Sequence, residues 1–177
     1  MMKYANKVRL TLEAPRQTVV MDQDGPRFVT ADRVKTYFRL PGVGTWHSGL
    51  IDTGAPLTVL PEEIWFPHRH AIEWVSAPSG QSLPGWLRSV SGLSGGQFIC
   101  EPGLIDVVFF DSELHCLPPR RILAKCVRDG GRLRDSLIGL GGHVLEGCRL
   151  EIEYSQSVDA ETLKGQAWLR EVEGRTA

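Results

Sequence analysis

Turn-forming residues recur along the whole chain and divide it into short segments. Its 177 residues include 19 glycines and 11 prolines, spread out rather than clustered. Short segments favour β-strands, in which side chains alternate between two faces, over long helices. Residues 8–13 and 33–40 show this alternation of apolar and polar side chains. The sequence therefore predicts an all-β fold with one or two short helices.

Other short apolar runs between turn signals predict further strands. These lie at residues 18–21, 27–30, 47–51, 57–60, 97–100, 105–110, 121–127 and 148–154. Proline followed by two acids predicts a short helix at 61–65, and a second is predicted at 142–146. The serine- and glycine-rich stretch 77–96 is either a mobile loop or a hairpin with a flexible tip.

Composition limits the classes of function. The length predicts one domain, placed at residues 1–154, with a polar C-terminal tail at 155–177. A formal charge of −1 gives no overall attraction to nucleic acid or to an anionic membrane. No apolar run is long enough for a membrane helix, and the N-terminus lacks a signal-peptide pattern, so we expect a cytoplasmic protein. The four cysteines form no CxxC motif, and we expect free thiols.

The tripeptide Asp52-Thr53-Gly54 is the clearest chemical signal. Two aliphatic residues, Leu50 and Ile51, precede it and predict that the aspartate lies at the end of a buried strand. One interpretation is an ordinary turn, in which the carboxylate binds nearby backbone amides. The other is a catalytic carboxylate, which the glycine allows to face a cleft.

Three segments together resemble the retropepsin family of aspartic proteases. Residues 50–55, Leu-Ile-Asp-Thr-Gly-Ala, followed by 57–60, resemble its active-site segment. Leu137-Ile138-Gly139 resembles its downstream strand, and the glycine-rich residues 90–99 resemble the flap that closes over substrate. The resemblance implies a single-lobe acid protease fold, a closed β-barrel that forms a homodimer.

Peptide hydrolysis by this route needs two carboxylates that share one proton. No second Asp-Thr-Gly occurs in the chain, so the second Asp52 must come from a two-fold related copy. The resemblance implies that Thr53 braces the paired loops and that residues 149–154 help to join the subunits. It also implies that Gly54 and Ala55 line the main chain of a peptide or protein substrate, which Gly92, Leu93 and Ser94 cover. No cofactor or metal is implied.

One departure keeps an alternative open. Retropepsins commonly place Arg and then Asp or Asn after the downstream glycine, where this chain has Leu140 and Gly141. The alternative is a catalytically weak or inactive module that uses the same fold to bind peptides or act as a scaffold.

The histidines of His68-Arg69-His70 are predicted to be surface residues rather than metal ligands. Arginines within 120–134 are interrupted by acids, which favours a solvated loop over a nucleic-acid site.

Overall fold

The computed structural model describes residues 2–22, 25–42, 44–91, 97–128, 133, 135–144, 146–154 and 165–172. Its strands are β1 (Lys3–Tyr4), β2 (Lys7–Asp22), β3 (Gly25–Arg39), β4 (His47–Asp52), β5 (Thr58–Leu60), β6 (Glu73–Trp74), β7 (Ser89–Ser91), β8 (Gln97–Phe110), β9 (His115–Cys116), β10 (Arg120–Arg128), β11 (Ser136–Gly139), β12 (Cys148–Tyr154) and β13 (Gly165–Glu171). Two one-turn helices, α1 (Glu62–Trp65) and α2 (Gly85–Arg88), and a 3-10 helix at Phe66–Ala71 complete the described elements. The all-β prediction is confirmed.

Strand pairing runs in a ring. β8 pairs with β10, β10 with β5, β5 with β11, β11 with β4, and β4 with β3. β3 then pairs with β8, with Phe38 opposite Phe109. Within the ring, β11 lies between β4 and β5, parallel to the first and antiparallel to the second. The retropepsin-like closed barrel is a more specific architecture and stays a prediction.

The main core collects apolar side chains that alternate inward along these strands. Fully buried members are Phe38, Leu60, Ile105, Val107, Phe109, Ile122, Ala124 and Ile138. Burying one such leucine, isoleucine or phenylalanine side chain contributes roughly 1.5–3 kcal/mol to stability. Trp65 of α1 joins this core, and its indole N–H donates a hydrogen bond to the Val127 carbonyl at 2.9 Å. The helix predicted at 61–65 is thus confirmed, with Pro61 as its N-cap.

The segment predicted as a C-terminal tail contains a paired strand. β13 lies between β2 and β12, and its Ala167 and Leu169 are buried in the main core. The alternation of these residues with Gln166, Trp168 and Arg170 has a period of two and matches a strand with one buried face. The division into a domain at 1–154 and a tail at 155–177 is not otherwise tested, and residues 155–164 lie outside the described part of the chain.

Two other local predictions are resolved. The helix predicted at 142–146 is wrong: the described residues there form turns, with positive φ at Gly142 (63°) and His143 (71°). Consecutive left-handed residues cannot continue a right-handed helix. For the stretch 77–96, the sequence left open a mobile loop or a hairpin. The base of a hairpin is confirmed, because β7 pairs with the start of β8. The short helix α2 comes directly before β7.

Candidate active site

Asp52 is the last residue of β4, a strand held on both edges by β3 and β11. The side chain of Ile51 packs against the main core. Because side chains alternate along a strand, Asp52 lies on the opposite face, together with Leu50. Its partner across the parallel pairing is Gly139, which has no side chain to cover it. The carboxylate is therefore partly exposed although its strand is central.

A tight turn follows the aspartate. The Gly54 N–H donates to Asp52 Oδ1 at 2.9 Å, and the Ala55 N–H donates to the Asp52 carbonyl at 3.2 Å. These bonds orient the carboxylate and occupy one of its oxygens. Among the described residues, none donates a hydrogen bond to Oδ2. Thr53 and Gly54 are exposed, so the turn is presented at the surface of this chain.

The backbone of residues 139–141 braces that turn. The Leu140 N–H donates to the Ala55 carbonyl at 3.3 Å. A Cβ atom added to Gly139 would lie 2.8 Å from the same oxygen, and one added to Gly141 would collide with the Pro56 carbonyl. Gly141 is thus required by close backbone packing. The departure from the family pattern at Leu140 and Gly141 removes two polar side chains, yet the loop keeps direct backbone support.

A row of apolar side chains lies on the face that carries Asp52. Leu50 pairs with Leu137 of β11, and Leu137 pairs with Val59 of β5, so the three side chains form a row. Val59 belongs to a second buried cluster with Cys100 and Val127. Partly buried side chains pack against that cluster: Val90, Phe98, Leu133 and Leu137.

The hairpin formed by β7 and the start of β8 covers this apolar row. Val90 of β7 pairs with Phe98 of β8, and both side chains belong to the cluster that contains Val59. The base of the hairpin is therefore packed on the sheet face that carries Asp52. Its predicted substrate-covering residues, Gly92, Leu93 and Ser94, lie outside the described residues.

The fold has a counterpart among solved structures. It is similar to the crystal structure of a retropepsin-like aspartic protease from Rickettsia conorii. The likeness covers 92% of this chain and 95% of that chain, at 12% sequence identity and a TM-score of 0.41. No protein-family model and no curated protein sequence matches the chain. Because a TM-score this low carries no functional information, the function must be inferred from the residues around Asp52.

The structure brings together four of the residues singled out from the sequence: Asp52, Thr53, Gly54 and Ala55 form one turn at the end of β4. Sequence reasoning left Val59, Val90, Phe98 and Leu137 out of the site. The positions of Val59 in β5 and Leu137 in β11 could be read from the sequence, but not whether their side chains lie on the same face of the sheet as Asp52. That assignment needs the pairing register.

The described residues give little support for a cysteine nucleophile or a metal site. Burial raises the pKa of all four cysteine thiols, and that of Cys126 to about 12, so at neutral pH they are protonated and poor nucleophiles. The four cysteines are free, as predicted. The described residues hold no group of three or more His, Cys, Asp or Glu side chains arranged for a metal ion. They also include no helix of the length and apolarity needed to cross a membrane.

One histidine differs from its prediction. The sequence predicts His68 at the surface, but it is 1% exposed, with Nδ1 2.8 Å from the Pro41 carbonyl. Because a carbonyl oxygen only accepts, Nδ1 carries the proton. His68 is a buried structural residue that holds the loop after β3.

Proposed function

We propose that this protein is an aspartic-type endopeptidase in which Asp52 activates water. The observation that carries the proposal is the state of Asp52. It is partly exposed at the end of a core strand, and its turn is fixed by Gly54 and braced by residues 139–141. A row of apolar side chains lies on its face of the sheet, beneath a hairpin base. A fixed carboxylate beside an apolar surface is suited to general acid–base chemistry.

The reaction needs two such carboxylates. The ionised one takes a proton from water as the oxygen attacks the scissile carbonyl carbon, and the protonated one donates its proton to the carbonyl oxygen. Collapse of the resulting gem-diol breaks the C–N bond. The leaving nitrogen takes one proton from the pair, and a gem-diol hydroxyl returns one proton to it as that oxygen becomes the carbonyl oxygen of the product acid. One proton is again shared, and no cofactor enters the balance. Two carboxylates about 3 Å apart cannot both ionise, so the pair titrates as one coupled unit.

The second Asp52 comes from a second copy of the chain in this proposal. A two-fold axis close to the exposed Thr53-Gly54 turn would bring both aspartates into one site. Thr53 would then meet its own counterpart across the axis. In the described residues, β12 pairs only with β13, and its other edge is available for the subunit contact predicted at residues 149–154. The active form is accordingly a homodimer.

A peptide substrate would bind in extended form between the Asp52 turns and the hairpins. Main-chain pairing with residues 92–94 and contact with Ala55 would hold it, as strand addition does in other peptide sites. We propose a peptide or protein as the substrate, and we propose no nucleic-acid or membrane partner. The cytoplasmic location stays a prediction.

A binding or scaffolding module is the second candidate. The hydrogen bond from Gly54 to Asp52 Oδ1 favours it, because an aspartate with a purely structural role in a turn makes the same bond. Both candidates share the fold and the dimer. They differ in whether the open oxygen of Asp52 does chemistry.

Cleavage of an unbiased peptide library across about pH 4 to 7 separates the two candidates, because a coupled carboxylate pair changes state in that range. Asp52→Asn keeps an acceptor for the Gly54 N–H but cannot act as a base, and we expect it to abolish cleavage. Asp106→Asn is the matched control, because Asp106 is an exposed residue of β8 whose side chain pairs with Arg121. Full cleavage by folded Asp52→Asn would reject the protease. Absence of cleavage by a folded wild-type dimer would favour the binding module.

A further inference from the structure

A buried lysine lies under the hairpin that covers the Asp52 face. Lys125 of β10 is only 7% exposed, which is rare for a lysine. Its ammonium group donates hydrogen bonds to the carbonyls of Trp86 and, at 3.1 Å, of Ser89. It also lies 5.6 Å from the centre of the Trp86 ring, within range of a cation–π contact. In the described part of the chain, no carboxylate forms an ion pair with it.

The carbonyls that Lys125 binds belong to the segment that begins the hairpin. α2 is a single turn, so most of its carbonyls have no partner within the helix. Side chains donate to three of the four: Ser89 Oγ to the Gly85 carbonyl at 3.1 Å, Cys100 Sγ to that of Leu87 at 3.2 Å, and Lys125 Nζ to that of Trp86. Lys125 Nζ also donates to the carbonyl of Ser89, the first residue of β7. Lys125 is the charged member of this set, and charge-assisted hydrogen bonds are the stronger ones.

The pairing register places Lys125 in the same row as the apolar residues beside Asp52. Lys125 pairs with Val59, Val59 with Leu137, and Leu137 with Leu50. The row crosses four strands, so Lys125 lies about 14 Å from Leu50 at the usual strand spacing. The hairpin base is thus fixed at one end of this row, and Asp52 lies two residues beyond Leu50, on the same face of β4.

From this arrangement we propose that Lys125 is a positioning residue, which anchors the base of the hairpin at a set distance from Asp52. The role rests on the proposed function only where it concerns substrate. The anchor holds Trp86 and Ser89 through their carbonyls, and Ser89 is the first residue of β7. Burial of an ammonium group is costly unless it is hydrogen-bonded, and a methionine of similar length would fill the same space without that cost. Lys125 therefore contributes hydrogen-bonding to the hairpin rather than packing alone.

Hydrogen exchange in Lys125→Met tests the anchor without any substrate. We expect amides of 85–91 and 97–99 to exchange roughly tenfold faster or more, the size expected when two charge-assisted hydrogen bonds are lost. Amides of β4 and β11 keep their wild-type rates. Lys7→Met is the matched control, because the exposed Lys7 of β2 makes the same kind of contact, 5.7 Å from the centre of the Trp168 ring, on strands that do not pair with the hairpin. Unchanged exchange in the hairpin, or equal acceleration throughout the molecule, would overturn the anchor.

A measurement on the wild-type protein covers the case in which Lys125→Met does not fold. Nitrogen-detected NMR of the lysine side chains should show one ammonium group whose protons exchange slowly with water, and this signal should be absent in Lys125→Arg. If every lysine ammonium exchanged at the rate of an exposed one, the anchor would be wrong.

Kinetics tests the positioning role once cleavage has been observed. A looser hairpin should weaken substrate binding, so we expect Lys125→Met to raise KM about tenfold while kcat changes less than threefold. Faster hairpin exchange together with an unchanged KM would refute the positioning role but leave the anchor intact. A protein that cleaves nothing would refute the protease, while the exchange experiment would still decide the anchor.

Discussion

Asp52 and Asp111 each stand at the end of a core strand, but the protein uses their carboxylates differently. Asp111 follows β8 and is 5% exposed. Its Oδ1 accepts hydrogen bonds from the backbone N–H groups of Glu113 and His115, both at 2.9 Å. Its Oδ2 lies 3.2 Å from His115 Nδ1 and 3.4 Å from the Arg9 backbone nitrogen. Asp52 accepts one hydrogen bond from the described residues and is partly exposed.

The difference shows which aspartate is available for chemistry. A carboxylate whose oxygens are occupied by backbone donors holds a turn together and has no capacity left for a substrate or a water. One with an unoccupied oxygen on an accessible face retains that capacity. The sequence contains both in turn-like settings, and only the hydrogen bonding separates them.

The same substitution, Asp to Asn, at the two positions gives the largest expected difference in the free energy of unfolding. In Asp111→Asn, an amide N–H₂ replaces one carboxylate oxygen and faces groups that donate hydrogen bonds to that oxygen. We expect a loss of about 3 kcal/mol in the free energy of unfolding, as when other buried hydrogen-bond networks are broken. Asp52→Asn should change it by less than about 1 kcal/mol, because the Gly54 bond survives. Urea unfolding measures both. Similar losses in the two variants would show that Asp52 is as structural as Asp111.

A smaller effect is expected from the brace behind Asp52. In Gly141→Ala, the new methyl group would collide with the Pro56 carbonyl, and we expect a loss of about 1–3 kcal/mol in unfolding free energy. Cleavage should fall with it, because the turn must shift. Gly44→Ala is the control, since a Cβ there meets nothing within 4 Å. A Gly141→Ala protein of wild-type stability would mean that the turn is not braced here.

Buried hydroxyl groups provide the opposite case to the fully bonded Asp111. Thr58 and Ser136 are fully buried, and neither side-chain oxygen has a hydrogen-bond partner among the residues that the structure describes. Because a buried polar atom without a partner is unfavourable, Thr58→Val and Ser136→Ala should each stabilise the fold by about 1 kcal/mol. Thermal unfolding measures this. A loss of stability in both variants would contradict the missing partners.

The smallest expected effect concerns pH. Burial, and then the nearby His68, lower the pKa of His47 below its usual 6.5. The unfolded chain therefore binds this proton more readily, so its contribution to stability is complete above about pH 6.5 and falls as pH drops through the lowered pKa. Below pH 6.5, the free energy of unfolding of His47→Phe should therefore decrease less with falling pH than that of the wild type. Parallel curves for wild type and His47→Phe would contradict the shift.

The sequence predicted the strand content well, because period-two alternation reports burial directly at residues 8–13 of β2 and 33–39 of β3. It also located the Asp52 turn. Before Arg170 it allowed either a helix or a strand, and it could not predict that β13 pairs with β2 and β12, because polar residues separate Ala167 and Leu169 from the rest of the core pattern. It could not predict the burial of Lys125, since a lysine is expected outside and its acceptors at Trp86 and Ser89 are far away in sequence. Register between distant strands decides such contacts, and no local pattern encodes it.

The central claim is that two copies of Asp52 form one catalytic site. Wild-type protein can be mixed with Asp52→Asn at constant total concentration and equilibrated before peptide cleavage is measured. If only dimers with two aspartates cleave, and subunits mix freely, activity should fall as the square of the wild-type fraction. Mixing with Asp106→Asn should leave it unchanged. A fall in direct proportion to the wild-type fraction would show that each chain acts alone, and would contradict the shared site.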